Sequence, residues 1–201
     1  MTLPSPTATL PVGSMGRHAN GWWGMIMLIT TEGALFVYLL FAYYYTAVQE
    51  GRDWLPDKLP GVSLSLPDTI ILIASSFVLA RGERLLYRGA SNARIAIHAL
   101  IAAAMGVVFI AIQGLEWAGK AFTPFSGSYG SLYFVITGFH MLHVAAGVII
   151  LIVLSIWTAL GYFDRRRTAA FSTGVIYWHF VDIVWIALFF TFYISPRLGL
   201  G

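Results

Sequence analysis

Five stretches of this chain are each long and apolar enough to cross a bilayer as a helix: about residues 22–45, 67–86, 95–117, 129–160 and 171–194. A helix rises about 1.5 Å per residue, so about 20 apolar residues cover the hydrocarbon layer. Within that layer the backbone must satisfy its own N–H and C=O groups, which leaves the α-helix as the structure for runs of this kind. The sequence therefore predicts an all-α fold, an integral membrane five-helix transmembrane bundle. Residues 1–21, with Pro4, Pro6 and Pro11, read as a flexible tail, 22–196 as the transmembrane domain and 197–201 as a short C-terminal tail.

Only 10% of the residues are charged, against about a quarter in a soluble domain, so little mass is expected outside the membrane. The chain has no cysteine, which removes disulfides and thiolate metal sites from consideration. No charge precedes Arg17 and no apolar run precedes Trp22, so a cleavable signal peptide is not expected. Trp22 and Trp23 at one end of the first span, and Tyr43, Tyr44 and Tyr45 at the other, fit the two aromatic belts of a membrane helix.

Basic residues set the expected orientation. Arg17, Arg81, Arg84, Arg88, Arg94, Arg165, Arg166 and Arg167 fall on one side, and Arg52, Lys58, Lys120 and Arg197 on the other. The positive-inside rule then places the N-terminus in the cytoplasm and the C-terminus outside. The net charge of +3 comes mainly from these loop arginines and points to orientation in a membrane, not to nucleic-acid binding.

Titratable residues inside such spans are costly and mark function or interhelical contact. Glu32 lies about ten residues into the first span, roughly 15 Å deep, and calls for a partner, a bound molecule or a proton role. His140 and His143 stand at i and i+3, with Gly147 on the same face. They can be ligands, or they can hydrogen-bond between helices. His179 and Asp182 repeat the spacing and can pair along their own helix, or serve a proton relay or partner docking. Trp178 and Trp185, seven apart, read as packing residues. Gln113 and Glu116 close the third span, with Lys120 four residues on, which permits an interfacial Glu–Lys pair. Ala96, Ala99, Ala102, Ala103 and Gly106 give that span a small-residue surface for close helix approach.

A bis-His di-haem core needs opposing pairs of histidines. The chain has five: His18 lies in the tail and His98 is four residues from Arg94, so too few remain at matching depth. No haem, copper or other metal of its own is expected. A haem-bearing membrane cytochrome and a free-standing transporter are the rival readings. Against the transporter stands the lack of an internal repeat and of broken helices in corresponding positions.

The residues also resemble a family. Gly138-Phe139-His140-Met141-Leu142-His143-Val144 with Gly147, and Tyr177-Trp178-His179-Phe180-Val181-Asp182-Ile183-Val184-Trp185, resemble two signatures of subunit III of the haem–copper terminal oxidases, the cytochrome c oxidase subunit III family. Thr31-Glu32, Phe36 and Ala42-Tyr43 resemble the segment carrying that family's buried glutamate. Ser75-Ser76, Gln113 and Glu116-Trp117 match at weaker positions. Two departures stand beside these matches: Met141 where the family usually has glycine, and Phe171-Ser172-Thr173 where mitochondrial-type members carry a glutamate. Quinol oxidase and nitric oxide reductase relatives therefore stay open.

The resemblance implies the short bacterial five-helix form, in the bacterial inner (plasma) membrane. It implies a subunit without a redox centre, packed beside catalytic subunit I, with haem and copper in partner subunits. Bound phospholipid is expected in a cleft between helix groups, with support for proton uptake and oxygen access. On this reading Glu32 and Glu116 are lipid-cleft or proton-related residues. His140, His143, His179 and Asp182 are structural polar or lipid-contact residues, and Arg81, Arg84, Arg165 and Arg166 are headgroup contacts.

Overall fold

The structure, a computed structural model, describes residues 20–199 apart from Asp57, Arg165 and Arg166, and the backbone alone of Arg52 and Asp53. The expected tail therefore lies almost wholly outside the described residues, as do Gly201 and its neighbour Leu200. Five helices follow one another: α1 (Asn20–Glu50), α2 (Val62–Tyr87), α3 (Asn92–Ala118), α4 (Ser128–Ala159) and α5 (Ala169–Phe189). α5 runs on through a π-helical turn, Phe190–Ile194, and a 3-10 turn, Ser195–Leu198. There are no strands among the described residues. All five helices are long and apolar enough to span a membrane, the last as Ala169–Leu198, and the chain is a multi-pass membrane protein.

The helices are longer than their apolar runs. α1 has 31 residues and α4 has 32, about 46 to 48 Å at 1.5 Å per residue, so both exceed a hydrocarbon layer of about 30 Å. α2 begins five residues before Pro67, where the sequence suggested a start; Pro67 sits inside the helix and forgoes one backbone hydrogen bond. The difference matters, because it moves the residues after Pro67 more than a turn deeper into the bundle. At the far end of α5, Arg197 is tied to the Tyr193 carbonyl and, at 2.7 Å, to the Pro60 carbonyl.

α2, α3 and α4 form a sequential antiparallel sheaf, with α5 laid against α2 and α4 and α1 packed chiefly on α5 and α4. Lipid is as apolar as the side chains, so burial of apolar surface does not drive this packing; close contact and interhelical hydrogen bonds do. Trp178 shows how close. Its indole lies in a slot between α3 and α4, where a Cβ on Gly106 would stand 2.6 Å from the ring and one on Gly147 2.8 Å. The ring N–H donates to Ser75 Oγ on α2 at 2.9 Å, so one side chain joins four helices. Trp185, two turns on, donates to Thr69 Oγ1 at 2.9 Å. The small-residue surface of α3 faces inward as expected: Ala96, Ala99, Ala102, Ala103 and Gly106 are all buried.

Candidate functional site

The two histidines of α4 turn to different neighbours. His140 is fully buried, and its Nε2–H donates to the Val181 carbonyl of α5 at 3.1 Å. Phe109 and Trp185 pack around its ring. His143 lies one turn along and reaches α1, where its Nε2 stands 3.1 Å from Glu32 Oε2. Its Nδ1 lies 2.7 Å from the Phe139 carbonyl. Phe36 packs edge-on against the ring, and the Tyr177 hydroxyl fixes the backbone by donating to the His143 carbonyl.

Proton counting at this pair is informative. A carbonyl oxygen only accepts, so Nδ1 of His143 carries hydrogen. The short contact between Nε2 and Glu32 then needs one more proton, either on the carboxyl or on Nε2. The pair thus holds one proton beyond a neutral imidazole and a carboxylate, and it is net neutral either way. Neutrality is what a group at this depth requires. Glu32 keeps 35% of its side-chain surface, where α1 meets α4.

On α5, His179 Nδ1 and Asp182 Oδ2 stand 4.0 Å apart, beyond hydrogen-bond distance. Ser76 of α2 stands between them. Its hydroxyl donates to Asp182 Oδ2 and lies 2.9 Å from His179 Nδ1. With its hydrogen spent on Asp182, Ser76 accepts from Nδ1–H. The other imidazole nitrogen of His179 is left as an acceptor on a ring 42% exposed, near the middle of the span.

Glu116 and Lys120 form the pair that their spacing permits, and Glu116 has further partners. It is buried where α3 ends, and it bonds Lys120 at 2.5 Å, the Tyr193 hydroxyl at 2.6 Å and the Ser65 hydroxyl at 3.0 Å. The Tyr193 hydroxyl continues to that of Tyr133 at 3.1 Å, and the Lys120 ammonium sits over both rings. The π-helical turn after α5 carries Tyr193 into this cluster. Among the described residues no hydrogen bond links the Glu116 cluster to the Glu32 pair, and the two glutamates sit in separate networks. Arg81 and Arg84 are exposed at the end of α2. Arg165 and Arg166 lie outside the described residues.

The sequence reading did not single out Ser65, Asp68, Tyr133 or Tyr193, all buried around Glu116. The Glu116–Lys120 spacing was the one signal leading to them. Among the described residues no group of three or more His, Cys, Asp or Glu side chains is placed to hold a metal ion.

Comparison with known proteins follows the same residues. The family model for cytochrome c oxidase subunit III matches residues 16–196, which takes in every network described above. The chain belongs to the cytochrome c oxidase subunit III family. A cytochrome c oxidase subunit 3 from Synechocystis is 36% identical over 192 residues, covering 92% of this chain and 81% of that protein. The one from Marchantia polymorpha is 34% identical over 182 residues, covering 85% of this chain and 67% of that protein. The one from Ornithorhynchus anatinus is 34% identical over 179 residues, covering 85% and 68%. Family membership places the chain among subunits of an oxidoreductase complex of the respiratory chain.

Proposed function

We propose that this chain is the non-catalytic subunit III of a bacterial cytochrome c oxidase, in the inner (plasma) membrane beside catalytic subunit I. The complex reduces oxygen and pumps protons with haem and copper held in its partner subunits; this chain transfers no electrons. Its part is to hold phospholipid against its surface, to stabilise subunit I, and to support proton uptake and oxygen access.

The observation that carries the reading is the Glu32–His143 pair. It is a proton-holding pair between two membrane-spanning helices, with Glu32 35% exposed where α1 meets α4. A lipid or a partner helix that covers Glu32 dries the pair; one that leaves it open lets the proton exchange. His179 fits the same reading. Its outward acceptor nitrogen, too deep for lipid headgroups, suits a hydrogen-bond donor on a neighbouring membrane helix. Arg81 and Arg84, with Arg165 and Arg166, are headgroup contacts on the side proposed to be cytoplasmic.

The test is deletion of the chain from its host. Membranes without it are expected to retain oxygen reduction at first and then to lose it progressively during turnover, with the full chain restoring the lifetime. An oxidase whose lifetime and phospholipid content are unchanged by the deletion contradicts the proposal.

A further inference from the structure

The end of the bundle where α2 and α4 begin and α3 ends holds a second polar site that the proposed function does not use. A cavity of about 270 Å³ opens there, lined among others by Lys58, Gly61, Ser63, Glu116, Lys120 and Phe122. Glu116 closes its inner wall, fully provided with donors by Lys120, Tyr193 and Ser65. Just inside lie Asp68 of α2 and Gln113 of α3, both with no exposed surface. The two side chains stand beside each other, near enough for the Gln113 amide to act on the carboxyl, but none of their four polar atoms reaches full hydrogen-bond geometry with a described residue.

An ionised carboxylate in this position is stripped of water, and the Gln113 amide beside it offsets that cost only in part. Of the positively charged groups around it, Lys58 of the cavity lining is exposed to solvent, and the other two are already committed. Lys120 is spent on Glu116, and the Arg197 guanidinium on the Tyr193 and Pro60 carbonyls. Tyr133 and Tyr193, from α4 and the turn after α5, bond each other and Glu116. α2 brings no second titratable side chain to the site. Asp68 therefore has no cation bonded to it among the described residues, and a cation from outside can neutralise it.

Gln113 shows which cation fits. Its amide offers two N–H donors and one carbonyl acceptor. A carboxylate can take an N–H but leaves that carbonyl without a donor. A carboxylic acid matches the amide on both edges, accepting from the N–H while its own O–H donates to the carbonyl. We infer that Asp68 and Gln113 form a buried proton-binding site, filled from water in the cavity past Glu116 and Ser65. An O–H bond forms at Asp68 when a proton arrives from that water, and the same bond breaks when the proton returns. The pair is a proton store at the membrane face opposite the Arg81–Arg94 turn.

Infrared difference spectroscopy of the intact complex in lipid tests this. The wild type is expected to show, at neutral pH, a protonated-carboxyl C=O band that moves on exchange into D2O. The band is expected to vanish in Asp68→Asn and to shift to higher frequency in Gln113→Leu, where the acid loses its partner. In Lys120→Met the band is expected to persist with an altered rate of deuterium exchange. No Asp68-dependent acid band at neutral pH overturns the inference. So does a carboxylate band in its place that responds to sodium or potassium, which makes the ligand a metal cation. If Asp68→Asn does not assemble, the Gln113→Leu spectrum decides: an acid band left unmoved overturns the pairing.

Discussion

His143 and Glu32 meet 3.1 Å apart across the α1–α4 contact, and His143 has already given its other nitrogen to the Phe139 carbonyl. The contact therefore exists only with an added proton. This separates two substitutions that a purely structural pair would not. Glu32→Gln keeps a donor for Nε2, so the chain is expected to assemble in normal yield. It loses the exchangeable proton, and phospholipid retention or lifetime during turnover is expected to change. Glu32→Ala loses both the proton and the hydrogen bond, the latter worth about 0.6 kcal/mol between membrane helices. Loss of the subunit from the complex in Glu32→Gln would make the residue structural.

The Trp178 slot predicts a packing failure. Gly147→Val puts methyl groups where the indole lies and is expected to cost about 1–3 kcal/mol or more. Thermal unfolding in detergent measures it. In Gly147→Val with Trp178→Phe, the smaller ring is expected to return part of the loss. Purely additive costs would mean that the two residues are not coupled in this way.

Lys120 supplies a pH dependence. It lies in the loop after α3, and burial pushes its ammonium below the ordinary lysine value of 10.5; Glu116 opposes that shift only in part. Below the lowered value both folded and unfolded chains are charged there, and the folded chain bears the full cost of burying the ammonium. Between the lowered value and 10.5 the unfolded chain binds more protons, so stability rises with pH across that window. The midpoint of thermal unfolding is expected to increase there in the wild type and to lose this slope in Lys120→Met. A wild-type midpoint that falls across the window contradicts the assignment.

The membrane orientation rests on eight basic residues on one side and four on the other. A reporter fused after Gly201 is expected outside, and one inserted in the Asp164–Arg167 loop in the cytoplasm. Both on one side would reject the five-span topology.

The number of helices and the signature residues were legible in the sequence, because length and hydropathy are properties of one segment at a time. What each polar residue touches was not. His140 and His143 share a face by spacing, yet the 60° between them is enough to send one to α5 and the other to α1. His179 and Asp182 look like a pair, but the group that joins them, Ser76, comes from α2 and more than a hundred residues away. Asp68 stayed hidden for a local reason: beside Pro67 it reads as a first-turn residue at the surface. Only the five extra residues from Val62 to Leu66 place it inside. Tyr193 reads as one more belt aromatic until the π-helical turn directs it to Glu116.

The central claim is that this chain is a cofactor-free subunit of a larger oxidase, and native mass spectrometry of the complex purified through a tag on the chain tests it most directly. The account predicts co-purification with a haem- and copper-bearing catalytic subunit. It also predicts that, on dissociation, the chain leaves at the mass of its polypeptide, 22.1 kDa plus the tag, with phospholipid as its one adduct. A chain that leaves with haem in fixed ratio, and loses it in His143→Ala or His179→Ala, or a tagged chain that purifies with no haem–copper partner, would contradict it.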